Sequence, residues 1–294
     1  MKKKVKKYRL KRLANKPVRY TLVTGLVIPA LSLLVFGVIA GLFAGLTDKP
    51  EYMTEYNAVA LIIGSILVAI GIRKSLGEDF HYGLGRKGLG IGLLVALPVM
   101  VFSVQYIAQG ALAEVRPELT AADFLCPLIT GIQPGVLEEL FYRGLVFGGL
   151  MHVRAGKKNR VLVAFLASSL SFALIHMINM LGGQSFIGTV NQLLFALALG
   201  AIFCASYLRS HNIWPAIFYH ALHDSFAFFL VRTTGASTDG APSVLQLVMN
   251  AILLAYACYI VFSTKSETID ALWGAAKEEP IEEQEELVEE ASEI

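Results

Sequence analysis

Charge and reactive sulfur are both scarce in this chain of 294 residues. Only 16% of residues are charged, against 55% hydrophobic, whereas a soluble domain carries about 25% charged residues. The mean hydropathy is +0.59. A soluble globular fold is therefore excluded. Three cysteines, Cys126, Cys204 and Cys258, lie far apart in apolar blocks with no CxxC, which argues against a disulfide framework or thiolate metal site. Buried free thiols are expected. Acid is absent from residues 1–20, which hold ten Lys or Arg, and base is absent from residues 278–294, which hold nine Glu. No basic and aromatic surface of the kind that binds nucleic acid is evident, and no nucleic-acid partner is expected.

What is present is a series of apolar runs. About 20 apolar residues cross a bilayer as helix. Eight runs qualify, at roughly 20–45, 57–73, 89–112, 122–150, 161–182, 186–208, 213–231 and 243–263. They are continuously apolar rather than alternating, which excludes a barrel. The expected fold is an all-α polytopic membrane protein of about eight transmembrane helices. The first run is too long for the core of a cleaved signal peptide, ~7–15 residues, and is expected to stay as a span.

Basic loops set the orientation. With the basic N-terminus inside, one side carries Arg73, Lys74, Arg86, Lys87, Arg154, Lys157, Lys158, Arg160 and Arg209. The other carries Lys49, Arg116 and Arg232. Both termini are then cytoplasmic, as in a bacterial plasma membrane. The expected division is a basic N-terminus at 1–19, a transmembrane domain at 20–263 and an acidic cytoplasmic tail at 264–294.

Few ionisable residues remain inside the spans. Glu138, Glu139 and Arg143 lie in span four, His176 in span five, and His220, His223 and Asp224 in span seven. Such residues are expensive in hydrocarbon and point to function. Glu139 and Arg143 are spaced i,i+4 in the favourable order for an ion pair. Glu138 lies about 100° around the helix and is left over. Pro134, with Gly131 and Gly135, is expected to kink the backbone just upstream. Phe172 and His176, and His220 and Asp224, are also i,i+4 pairs. Spans four, five and seven together supply a base, imidazoles to place a water and a stabiliser for an oxyanion. A depth mismatch opposes this: His176 sits about 24 Å and His220 about 12 Å from the inner ends of their spans at 1.5 Å per residue. Tilt or a deeper start of span seven has to close it.

These motifs resemble those of the type II CAAX prenyl endopeptidase family, also called the CAAX protease and bacteriocin-processing (CPBP, or Abi) family. EELFYR, Glu138 to Arg143, is similar to its EExxxR. SFALIH supplies FxxxH through Phe172 and His176. HALHD supplies the third motif through His220 and Asp224. The resemblance covers about 120–231. It implies an intramembrane endopeptidase acting on a membrane-associated peptide or protein, of CAAX type or in bacteriocin and peptide processing or immunity. Glu138 would activate a water with His176, His220 and residue 224 would serve the oxyanion, and Glu139, Arg143 and Phe172 would be support. The family position of Asp224 often holds Asn, so an ionised Asp224 has to be protonated, orient His220 or bind a metal. Family members are described both as metalloproteases and as glutamate-dependent proteases, and Glu138, His176, His220 and Asp224 are the candidate zinc ligands. Two other classes remain open from the residues alone: a non-catalytic membrane scaffold or immunity protein, and a proton-linked transporter.

Overall fold

The computed structural model describes residues 10, 13, 15–47, 49, 52–77, 79–112, 118–237 and 239–274. Most of the basic N-terminus, Arg116 and the glutamate-rich stretch 278–294 lie outside them. The described residues form helices joined by turns and loops, without a strand.

Helix α1 spans Pro17–Gly45, α2 Met53–Leu76, α3 Leu89–Ala96 and α4 Val99–Leu112. Helix α5 runs Ala121–Glu138 and continues as a π-helix over Glu139–Gly148 and as α6 over Gly149–Val153. Helix α7, Arg160–Ile175, tightens into a 3-10 segment, His176–Gly182. Then come α8 (Phe186–Ser210), α9 (Trp214–Thr234), α10 (Val244–Ser263) and α11 (Ser266–Trp273).

All eight expected spans are helical. Five helices are long and apolar enough to cross a membrane: α1, α2, α7 with its 3-10 extension, α8 and α10. The pair α3 and α4 makes a sixth if its 56° bend lies within one span. The remaining two segments, α5 to α6 and α9, carry the polar residues, so apolarity alone does not bring the count to eight. Large apolar side chains such as Leu34, Leu42 and Phe262 point outward, which suits a hydrocarbon surround and not water. The chain is a polytopic membrane protein.

The core sits between α5, its π continuation, α8 and α9. Two glycines decide how close α5 comes to α9. A Cβ at Gly135 would lie 2.9 Å from Ala221 Cβ and from the Ile217 carbonyl oxygen, and one at Gly131 would overlap Ser225. The helices meet backbone to backbone, the small-residue packing that replaces the hydrophobic effect inside a membrane. Helix α5 stays a single helix through Pro127 and Pro134.

Residues 264–274, grouped with the tail in the sequence, fold back on the core. Trp273 is buried, and its indole N–H donates to the Leu208 carbonyl at 2.9 Å. Arg160 pairs with Asp270 at 2.6 Å and donates to the Gly274 carbonyl at 2.8 Å. Trp273 also packs on His211 with ring centroids 4.2 Å apart.

Candidate active site

The site is assembled from the end of α5, the π segment, the end of α7 and the middle of α9. From Glu139 the helix widens, so the 100° spacing expected between Glu138 and Glu139 does not carry through the motif. Two outside donors reach carbonyls of the widened segment: Ser168 Oγ to Tyr142 O at 2.8 Å and Tyr20 Oη to Leu145 O at 2.5 Å. A donor that takes up a helix carbonyl favours a local departure from i→i−4 bonding, and π turns occur often at functional sites.

Glu139 and Arg143 form the expected ion pair, Oε1 to Nη1 at 2.9 Å, and both are fully buried. The guanidinium lies between two rings, 4.4 Å from the Phe172 centroid and 5.2 Å from that of Phe203. Aromatic faces at that range favour a cation in a dry setting. The pair has a second task. Glu139 Oε1 also lies 2.8 Å from His220 Nδ1. A carboxylate can only accept, so Nδ1 carries the proton it donates, and the imidazole is held with Nε2 outward.

That outward nitrogen faces two more carboxylates. Glu138 Oε2 is 3.6 Å from His220 Nε2, and Asp224 Oδ2 is 3.5 Å from it. The ring is fixed from the sides as well, stacked on Phe203 at 5.6 Å and edge-on to Phe172 at 5.8 Å. Phe172 also meets His176 edge-on at 5.2 Å. His176 Nδ1 lies 2.8 Å from the Phe172 carbonyl oxygen, the donating arrangement that leaves its Nε2 free. Phe172 thus separates and orients both imidazoles.

Glu138, His176, His220 and Asp224 line one cavity of ≈ 280 Å³. The depth mismatch expected from residue counting does not keep the two histidines apart. His223, the other histidine of α9, is placed elsewhere. It is buried, stacked on Phe195 at 5.0 Å, with Nδ1 3.4 Å from Ser103 Oγ. It is a core histidine.

Further polar groups share the cavity wall: Gln133, Tyr142, Asn179 and Gln192. The Tyr142 hydroxyl is buried with no hydrogen-bond partner among the described residues. Its sequence signal is its place four residues after Glu138, inside EELFYR. Asn179 Nδ2 donates to Gln192 Oε1 at 2.9 Å, a pairing across two helices that sequence spacing does not show.

Among the described residues, no group of three or more His, Cys, Asp or Glu is arranged to hold a metal ion. The sequence-based zinc set of Glu138, His176, His220 and Asp224 therefore does not fit a metal as it stands, and no catalytic step is derived through one.

Residues 120–226 match the family model described as "Type II CAAX prenyl endopeptidase Rce1-like". The chain is also 27% identical over 214 residues to YdiL of Bacillus subtilis (strain 168), a protein named as a proposed membrane peptidase, covering 68% of this chain and 81% of that one. No solved structure matches the chain. The matched segment holds Glu138, Glu139, Arg143, Phe172, His176, His220 and Asp224, and over it the chain is similar to the type II CAAX prenyl endopeptidase family.

Proposed function

We propose that this protein is an intramembrane endopeptidase in which Glu138 activates the attacking water. The observation that carries the reading is the asymmetry of the two adjacent glutamates. Glu139 is consumed by Arg143 and by His220 Nδ1. Glu138 has no ion pair with Arg143 and lines the cavity 3.6 Å from His220 Nε2. A scaffold does not need the second carboxylate.

A water between Glu138 and His176 gives its proton to Glu138 as its oxygen bonds to the scissile carbonyl carbon. Negative charge then develops on the carbonyl oxygen. His220, protonated at Nε2, and the Tyr142 hydroxyl are the donors on hand to meet it. Collapse of the tetrahedral intermediate breaks the C–N bond, and the proton held by Glu138 passes to the leaving amine. Asp224, beside His220 Nε2, orients that ring and favours its charged form. The substrate is a membrane-associated peptide or protein that enters from the bilayer.

Eight spans with both termini in the cytoplasm, in a bacterial plasma membrane, agree with the loop charges. Within the proposed division at 1–19, 20–263 and 264–294, α11 belongs with the transmembrane body and the tail proper follows Gly274. Comparative membrane proteomics of wild type against Glu138→Gln tests the function. A precursor that accumulates in the variant is expected, and identical membrane proteomes would contradict the reading.

A further inference from the structure

A second cavity, of ≈ 440 Å³, opens where α2 ends and the following loop begins. Its walls include Ile70, Arg73, Lys74, His81, Leu84 and Gly85. The lining thus offers two permanent cations, a histidine and loop backbone, and no carboxylate.

The cavity wall is held in place from the turn between α8 and α9 and from the first residue of α9. Asn212 Nδ2 donates to the carbonyls of Gly85 at 2.7 Å and Lys87 at 2.9 Å. The Trp214 indole donates to the Leu84 carbonyl at 2.8 Å, and the Ile213 N–H to the Gly83 carbonyl at 3.2 Å. Gly83 has a φ of 66°, and a Cβ there would run into the His211 carbonyl, so glycine is required for the loop to lie this close. Arg73 is oriented as well. Its Nε donates to the Phe80 carbonyl at 3.0 Å and its Nη2 lies 3.0 Å from His81 Nδ1. Guanidinium donors remain for a ligand. The Lys74 ammonium makes no hydrogen bond or ion pair among the described residues.

The surroundings specify the kind of anion. Helix α2 is an apolar span that ends at Leu76, so Arg73 and Lys74 stand at the level where hydrocarbon gives way to headgroups. Ile70 and Leu84 are 56% and 52% exposed beside them, and Trp214, half exposed, lies against the same loop. Tryptophan is enriched at this level. A free anion needs only the cations. A lipid needs cations at headgroup height with apolar surface directly beneath, and this cavity has both.

We infer that this cavity binds the phosphate of an anionic phospholipid, with Arg73 and Lys74 on the phosphate and acyl chains along Ile70 and Leu84. The site is separate from the carboxylate–imidazole cavity and does not depend on the proposed peptidase activity.

Native mass spectrometry of the full chain, released from vesicles of mixed phosphatidylglycerol and phosphatidylcholine, tests it. One retained phosphatidylglycerol per chain is expected. Lys74→Gln should lower its retention about five-fold, the effect of one basic residue near an anionic surface, and Arg73→Gln with Lys74→Gln should abolish it. Lys157→Gln with Lys158→Gln, in another loop, should leave it unchanged. Lys74 has no protein partner among the described residues, so its single variant keeps the test free of loop collapse. Equal retention of phosphatidylcholine, retention unchanged in Lys74→Gln, or displacement of the lipid by excess inorganic phosphate would each overturn the inference.

Discussion

Glu139 Oε1 lies 2.8 Å from His220 Nδ1 and 2.9 Å from Arg143 Nη1. One buried oxygen therefore ties the first motif to the third, across 81 residues of sequence. The Glu139–Arg143 pair is more than a neutralised charge: it sets the direction in which His220 presents its other nitrogen.

Breaking that tie has a cost in stability. Removing one partner of a buried ion pair destabilises by about 3–5 kcal/mol, because the other charge is left uncompensated. Arg143→Met is expected to show a loss of this size in the unfolding of the detergent-solubilised protein. Glu139→Gln strands the buried Arg143 cation in the same way and weakens the bond from His220 Nδ1, so it should lose at least as much. Equal, negligible losses in both would refute the shared role.

Asp224 and asparagine should be interchangeable to a large degree. The carboxyl sits beside His220 Nε2 at 3.5 Å, and an amide can fill the same space and bond the same ring. Asp224→Asn is expected to keep peptide processing within about ten-fold of wild type, whereas Asp224→Leu, with no polar group left to orient the ring, should lose about 100-fold or more. Comparable rates for the two variants, measured on one precursor, would remove Asp224 from the site.

The approach of α5 to α9 depends on glycine. Gly135→Leu places side-chain atoms where Ala221 and the Ile217 carbonyl already are. Overpacking of this kind costs about 1–3 kcal/mol. It also pushes Glu138 away from His220, so processing should fall further than the stability change explains. A variant with normal stability and normal processing would show that the close approach does not position the site.

The packing of Trp273 on His211 should respond to pH. Burial lowers the His211 pKa from its ordinary value. The unfolded chain then takes up a proton before the folded one does, so this contribution is fully present above the unfolded value of about 6.5 and is lost as pH falls through the lowered folded value. Trp273 fluorescence in a Trp214→Phe background, or hydrogen exchange of α11, should report α11 loosening in that acidic range. His211→Phe should flatten the dependence; an unchanged profile in that variant would refute the assignment.

Five spans, and a sixth as a bent pair, are legible because each is a continuous apolar run, and the Glu139–Arg143 pair because i,i+4 contacts are local. Phe172 beside His176 was legible for the same reason. The Glu139–His220 contact was not, since it depends on where two glycines allow α9 to lie against α5. Nor was the π widening, which accompanies Ser168 and Tyr20 bonding to carbonyls from distant positions. Residue counting from the inner ends sets His176 and His220 at different depths, yet both line one cavity and both meet Phe172. Helix α11 escaped notice because it is short and polar on one face, and only Ile269 and Trp273, spaced i,i+4, mark its buried side.

The central claim is that Glu138 is the base that activates water. The direct measurement is the cleavage rate of the accumulated precursor by purified wild type and Glu138→Gln in proteoliposomes, with the unfolding of both followed in parallel. A general base contributes roughly 10²–10⁴-fold. The account predicts a loss of at least about 100-fold in Glu138→Gln with unfolding close to wild type; cleavage by Glu138→Gln at the wild-type rate would contradict it.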